Sequence, residues 1–424
     1  MQINEDILQY IWRFQLFAAN KKLCTTGGEE LTILNPGEHN TDAGPDFFNA
    51  KIRIGQTVLV GNIEVHTYSS LWNIHGHDKD KAYGNLILHV VFENDKSVDE
   101  LACLELKDLI PQELMERYGY LMRNEAKIAC SAMFERIDTI TVDLWLERML
   151  VERLAAKTEA IEAVMKDNQN NWEEAFYILL ARNFGFKVNA QPFEMLARSL
   201  PLKILGKVKN DLLKIEALLF GQAGFLNGDS DEKYFNDLKQ EYIYLKKLYG
   251  LNSLDEGIWK FMRLRPANFP TLRIAQFARL IYGSVHLFSR LMEIRDWEVA
   301  GKLFNCQAGI YWSNHFRFGQ VSVNRKKNIG EPAVQNIFIN TVLPFMFYYG
   351  KRNNDQELET RALEGYTFFD AEKNVIISNW LAAGFKPQNA GQSQALIQLY
   401  THYCKPRKCL QCGIGNKLLN KQKN

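Results

Sequence analysis

Apolar and polar positions change rhythm partway along the chain. A helical pattern over residues 5–20 gives way to short apolar runs broken by glycine. Residues 31–34 form the first run and end at Asn35-Pro36-Gly37, a strong turn signal. Residues 47–54 alternate and stop at Gly55-Gln56, and residues 57–67 resume the alternation, which predicts a hairpin. Residues 86–92 are almost continuously apolar, as a strand covered on both faces requires. The polar stretch 69–83 between the last two runs predicts a partly helical crossover. The order is helix, three strands, crossover, buried strand: an α/β (α+β) core.

From about residue 138 the period lengthens. Leu146, Leu150, Leu154 and Ile161 mark one face of a long helix. Helical patterns follow over 172–182, 209–219, 232–249, 271–282, 333–348 and 392–403. With no fixed-period repeat and no low-complexity linker, the division predicted is an α/β domain over 1–130 and a helical domain over 138–403. A basic, cysteine-containing tail, 404–424, completes the chain.

Composition narrows the class. Of 424 residues, 46% are hydrophobic and 24% charged, which excludes a disordered or collagen-like chain. Lysine and arginine number 51 against 49 acidic residues, so any polyanion partner has to be held by a local patch. No apolar run approaches the roughly 20 residues that span a bilayer. The first six residues lack a signal-peptide pattern. Seven irregularly spaced cysteines argue against an oxidised framework. The expectation is a soluble cytoplasmic protein.

Candidate chemistry is concentrated near the N-terminus. Five of the eight histidines (His39, His66, His75, His77 and His89) fall between Asn35 and His89, far more than even scatter would place there. In a strand, Glu64 and His66 share a face. Asp46 follows a Gly-Pro turn at the mouth of the preceding strand and approaches Glu64 if the two strands pair. Two converging carboxylates suit Mg²⁺ or Mn²⁺, which can polarise a phosphoryl oxygen and activate a water. His66 is then in position to orient that water. His75-Gly76-His77-Asp78, with His89, offers either a second site for zinc or manganese or a set of groups that orient Glu64.

Pro45-Asp46 followed by Glu64-Val65-His66, on this order of elements, resembles the PD-(D/E)xK nuclease superfamily. The resemblance implies Asp46, Glu64 and the Val65 carbonyl as metal ligands and His66 in the usual lysine position. The histidine replaces a permanent charge with a conditional one. Over nearly its whole length the chain also resembles an uncharacterised bacterial family of unknown function. That match rests on Asn35-Pro36-Gly37, Gly44-Pro45-Asp46-Phe47, residues 61–66, Trp72 with His75-Gly76-His77, residues 88–91, residues 265–270, and Cys409-Leu410-Gln411-Cys412.

Two further groups stand out. Arg263, Arg265 and Arg273 bracket Pro266-Ala267-Asn268-Phe269-Pro270 and suit either phosphate contacts or inter-helix ion pairs. In the tail, His402, Cys404, Cys409 and Cys412 have the makings of a zinc site. The leading expectation is a metal-dependent phosphodiesterase acting on nucleic acid. The alternatives are a non-catalytic nucleic-acid-binding or scaffold protein and a small-substrate hydrolase that uses the histidines.

Overall fold

A computed structural model describes residues 3–98, 101–284 and 286–420. The chain divides into two units, one made of Met1–Leu146, Ser378–Phe385 and Ile397–Asn424, the other of Glu147–Ile377 and Lys386–Leu396. The first carries a mixed sheet and the second is almost wholly helical, so the class is α+β.

In the first unit, helix α1 (Glu5–Phe14) starts where the Asn4 side chain accepts the Ile7 N–H at 3.3 Å. It stops at Gln15, which turns into the left-handed region with φ 51°. The helix is therefore shorter than the pattern over 5–20 predicts. Its apolar face, Ile7, Leu8, Ile11 and Trp12, is fully buried against the sheet.

The sheet strands are β1 (Leu31–Asn35), β2 (Glu38–His39), β3 (Phe47–Ile54), β4 (Thr57–Tyr68), β5 (Leu86–Glu93) and β6 (Cys103–Glu105). Their order is β1-β3-β4-β5-β6, with β2 added to β3. The β1–β3 and β3–β4 pairs are antiparallel, and β4, β5 and β6 run parallel. The predicted hairpin is present, with Ile54 opposite Thr57. A parallel β4–β5 pair needs a crossover. Here that crossover carries helix α2 (Leu71–Ile74) and two 3₁₀ turns, His77–Lys79 and Lys81–Tyr83. Ser70 Oγ donates to Asp95 Oδ2 at 2.7 Å and Ser69 Oγ to the Lys96 carbonyl at 2.7 Å, which pins the start of the crossover to the end of β5.

Helix α3 (Gln112–Arg123), which the sequence pattern did not announce, covers the sheet with Leu114 and Leu121. The tail is not a separate appendage. Leu419, 1% exposed, belongs to the same core as α1 and the strands, and Tyr10 Oη donates to Asn420 Oδ1 at 3.1 Å. Residues 421–424 lie outside the described residues.

The second unit is built on an aromatic-rich core. Helices Trp172–Phe184, Leu212–Gln222, Lys233–Tyr249 and Pro270–Gly283 occupy four of the predicted segments. The single helix predicted over 333–348 is two helices, Glu331–Ile337 and Leu343–Asn353, joined through a wide π turn at Phe338–Val342. Among the described residues, no helix is long and apolar enough to cross a membrane.

Candidate metal centre

The site is assembled on one face of β4. Alternation sends Ile63 and Val65 into the core beneath α1 and sends Glu64 and His66 to the opposite face. That second face is also covered, so Glu64 is 5% and His66 2% exposed. Strand β5 lies parallel with Glu64 opposite His89, which puts the fully buried His89 on the same face. Strand β3 contributes Asp46 through a bulge. The register shifts between Phe47 and Ala50, with Asn49 at φ 57°, and Phe47 then pairs with Ile63. Asp46, one residue earlier, is thereby brought beside Glu64. The crossover supplies the lid: buried Trp72, then His75 and His77, with Gly76 between them at φ +73°, a conformation that glycine adopts without steric cost.

The two carboxylates are engaged differently. Asp46 is held on both oxygens, Oδ2 by the Val65 N–H at 2.9 Å and Oδ1 by Gln9 Nε2 at 2.9 Å. Gln9 is in turn bonded to His39 Nε2 at 3.3 Å. Glu64 accepts the Asp46 N–H on Oε2 at 3.1 Å, while Oε1 faces His66 Nε2 and His77 Nε2, each at 3.5 Å. His75 Nδ1 lies 3.3 Å from His66 Nε2. One ring nitrogen from each of His66, His75 and His77 falls within 4.8 Å of the other two. Behind them, His66 Nδ1 and His89 Nε2 are 2.8 Å apart. With the proton on His66 Nδ1, that bond leaves His66 Nε2 as a lone pair aimed at the Glu64 oxygen and its two imidazole neighbours. The Tyr83 ring packs on His77 with centroids 4.0 Å apart.

Burial sets the protonation of this group. It pushes Glu64 up to about 8, with the Asp46 charge adding to the effect, and Asp46 up to about 6. It pushes His66 down to about 3 and His89 down to about 4, and it also lowers His77. His66, His77 and His89 are therefore held toward the neutral form, the one that ligates metal, and the carboxylates are short of a cation. A divalent ion between Glu64 Oε1 and the three ring nitrogens would supply it. Imidazole with carboxylate suits Mn²⁺ or Zn²⁺ better than Mg²⁺.

These shifts fix a pH dependence. Glu64 and Asp46 release their protons near pH 4.5 and 3.8 when unfolded but only near 8 and 6 when folded. The folded chain thus binds more protons across that window, and its stability falls as pH rises through it. His66 works the other way: its neutral folded form is lost to the unfolded imidazolium as pH drops below 6.5. Chelator-treated protein is expected to lose on the order of a few kcal/mol of stability between about pH 6 and pH 8.5. Mn²⁺ or Zn²⁺ should restore most of it by replacing the proton. Melting curves across this range, with and without metal, check it; a flat or rising chelated profile would remove Glu64 from the buried, proton-holding state.

The other sequence candidates are placed as follows. Asp78 is exposed on the lid, and the Val65 N–H holds Asp46. Arg263 and Arg265 are exposed in the second unit. Arg273 is 6% exposed; its guanidinium donates to Asn268 Oδ1 at 2.7 Å and Gln276 Oε1 at 3.0 Å and stacks on Phe186. It serves the second unit's interior and is not available to a phosphate. Cys404, Cys409 and Cys412 line one cavity, which His402, an exposed residue, does not.

Sequence reasoning missed Glu5 and Gln9. Both project from α1 toward the site: Gln9 holds Asp46, while Glu5 adds its charge to those of Asp46 and Glu64. Their i, i+4 spacing beside a buried apolar face was the available signal.

A family model described as "Protein of unknown function (DUF2851)" matches residues 5–375. No curated protein and no solved structure matches the chain.

Proposed function

We propose a function for this chain, which belongs to the DUF2851 family of proteins of unknown function, from the chemistry of its site: a metal-dependent phosphodiesterase acting on nucleic acid. The observation that carries the reading is the convergence of the ring nitrogens of His66, His75 and His77, with Glu64 Oε1 3.5 Å from His66 Nε2 and from His77 Nε2 and Asp46 behind it. The order helix, strands with a short β2 among them, crossover helix, strand, with Asp46 just before β3 and Glu64 on β4, supports the likeness to the PD-(D/E)xK core. In that setting Glu64 and the imidazoles would hold the ion, and Asp46 would fix the Glu64 carboxylate through its backbone N–H. The ion would polarise a phosphoryl oxygen and lower the pKa of an attacking water. His66, neutral and buried, does not supply the lysine's charge; its role is that of a ligand.

The test is cleavage of single- and double-stranded DNA and RNA by the purified chain with Mn²⁺, Zn²⁺ or Mg²⁺. Activity is expected with the first two, and EDTA should abolish it. No turnover of any nucleic acid with any of these ions would reject the reading. A second reading, hydrolysis of small substrates, is favoured by how little of Glu64 and His66 is exposed. Turnover of small phosphodiesters or other small esters with nucleic acids left intact would select it.

A further inference from the structure

Four of the eight residues that line a small cavity in the first unit are cysteines: Cys130, Cys404, Cys409 and Cys412. All four are free thiols. Apart from Tyr403, the remaining lining residues, among them Leu121 and Ala129, are apolar or glycine. Cys130 comes from the loop after α3, Cys404 closes a wide π turn at Tyr400–Cys404, Cys409 opens a single 3₁₀ turn at Cys409–Gln411 and Cys412 follows it. π turns inside helices are frequent where function requires a displaced side chain.

The loops are fastened around these sulfurs. Arg407 reaches across to the carbonyls of Asn124 and Ala126, and Asn124 Nδ2 donates to the Ala129 carbonyl at 2.7 Å. The segment leading to Cys130 is thus tied to the segment bearing the other three. A Cβ on Gly415 would stand 2.2 Å from the Cys409 carbonyl oxygen, and one on Gly413 would stand 2.5 Å from the Trp145 ring. Glycine at both positions lets the Cys409–Cys412 loop close. Burial pushes the Cys412 thiol up to about 11, and the nearby backbone N–H groups of Ile414 and Gly415 and the Trp145 side chain act against that rise. N–H donors of this kind stabilise negative charge on sulfur, and metal-bound thiolates are supported by such outer hydrogen bonds.

A single zinc and an iron–sulfur cluster ask for different arrangements of sulfurs. One tetrahedral zinc with Zn–S of about 2.3 Å sets its four sulfurs about 3.8 Å apart. Among the described residues, the histidines of the candidate metal centre form the group whose ligand atoms all lie within 4.8 Å of one another; no three of these sulfurs converge so closely. A cubane cluster binds each cysteine to a different iron, so the sulfurs stand farther apart around a filled centre. We propose that Cys130, Cys404, Cys409 and Cys412 ligate a four-iron, four-sulfide cluster that ties the chain before Cys130 to residues 404–412. The cluster is independent of the Glu64 site.

The full chain, purified without oxygen, is expected to be brown and to carry about four iron and four acid-labile sulfide per chain. Mössbauer spectra of the intact protein should show a cubane cluster. Cys130→Ser should lose most of the iron, and His402→Ala should keep all of it. Should Cys130→Ser not fold, the iron, sulfide and Mössbauer measurements on the unaltered protein decide the matter. One zinc with no sulfide would overturn the cluster. So would the absence of iron after anaerobic purification and reconstitution with ferrous iron and sulfide. Iron lost with His402→Ala and retained with Cys130→Ser would overturn the ligand set.

Discussion

Glu64→Ala is expected to abolish the proposed metal-dependent cleavage, with a fall of about a thousandfold or more. Glu64 turns an oxygen to His66 and His77, each at 3.5 Å, whereas both Asp46 oxygens are held by Val65 and Gln9. Removing it takes away the anionic ligand that draws the ion to neutral histidines. Glu64→Gln makes the sharper experiment, because it keeps the shape and deletes the charge. Burial and the Asp46 charge oppose ionisation of Glu64. The amide variant should therefore melt higher than the unaltered chain at pH 8 in chelator, while losing cleavage and metal-induced stabilisation. That opposition separates a site held under electrostatic strain from an ordinary structural acid. A Glu64→Gln protein that cleaves normally, or that melts lower in chelator, would take Glu64 out of the mechanism.

Trp12→Ala is the largest expected loss of stability. The side chain is wholly buried, and its indole N–H donates to the Pro36 carbonyl at 2.9 Å. Truncating a buried tryptophan costs about 3–5 kcal/mol, and here the Pro36 carbonyl also loses its donor. The same helix carries Glu5 and Gln9, so the damage should spread to the site. Denaturant unfolding followed beside Mn²⁺ binding should show both lowered together. A variant that loses less than about 1 kcal/mol would mean that α1 is not the anchor of the sheet face it covers.

The hairpin and the shared face of Glu64 and His66 were legible because a period of two and a Gly-Gln turn are local signals. The buried strand at 86–92 was legible for the same reason, but its partner and direction were not: a continuous apolar run does not say which neighbour it pairs with. His89 was visible as a candidate ligand or supporting group, but only the parallel register sets it opposite Glu64. The bulge at Phe48-Asn49, which aims Asp46, has no pattern that separates it from a regular strand. His75 and His77 were visible as candidates, but only the crossover's path shows them folding back over His66. Arg273 was indistinguishable from its exposed neighbours Arg263 and Arg265, because burial of an arginine depends on partners, here Asn268, Gln276 and Phe186. Cys130 was hidden by distance along the chain; nothing near it in sequence ties it to Cys404.

The first unit is closed by residues from both ends of the described chain, with Leu419 in its core and Tyr10 bonded to Asn420. This has a consequence for synthesis. The sheet strands and every histidine of the site leave the ribosome before the second unit, but the core they belong to waits for Leu419, made after it. Through that interval the nascent chain carries exposed strand edges and unfilled ligand groups. The second unit, of which all but residues 386–396 is made without interruption, has its core complete first. A chain stopped before residue 397 would therefore keep a folded helical unit and a first unit whose core lacks Leu419, open to aggregation.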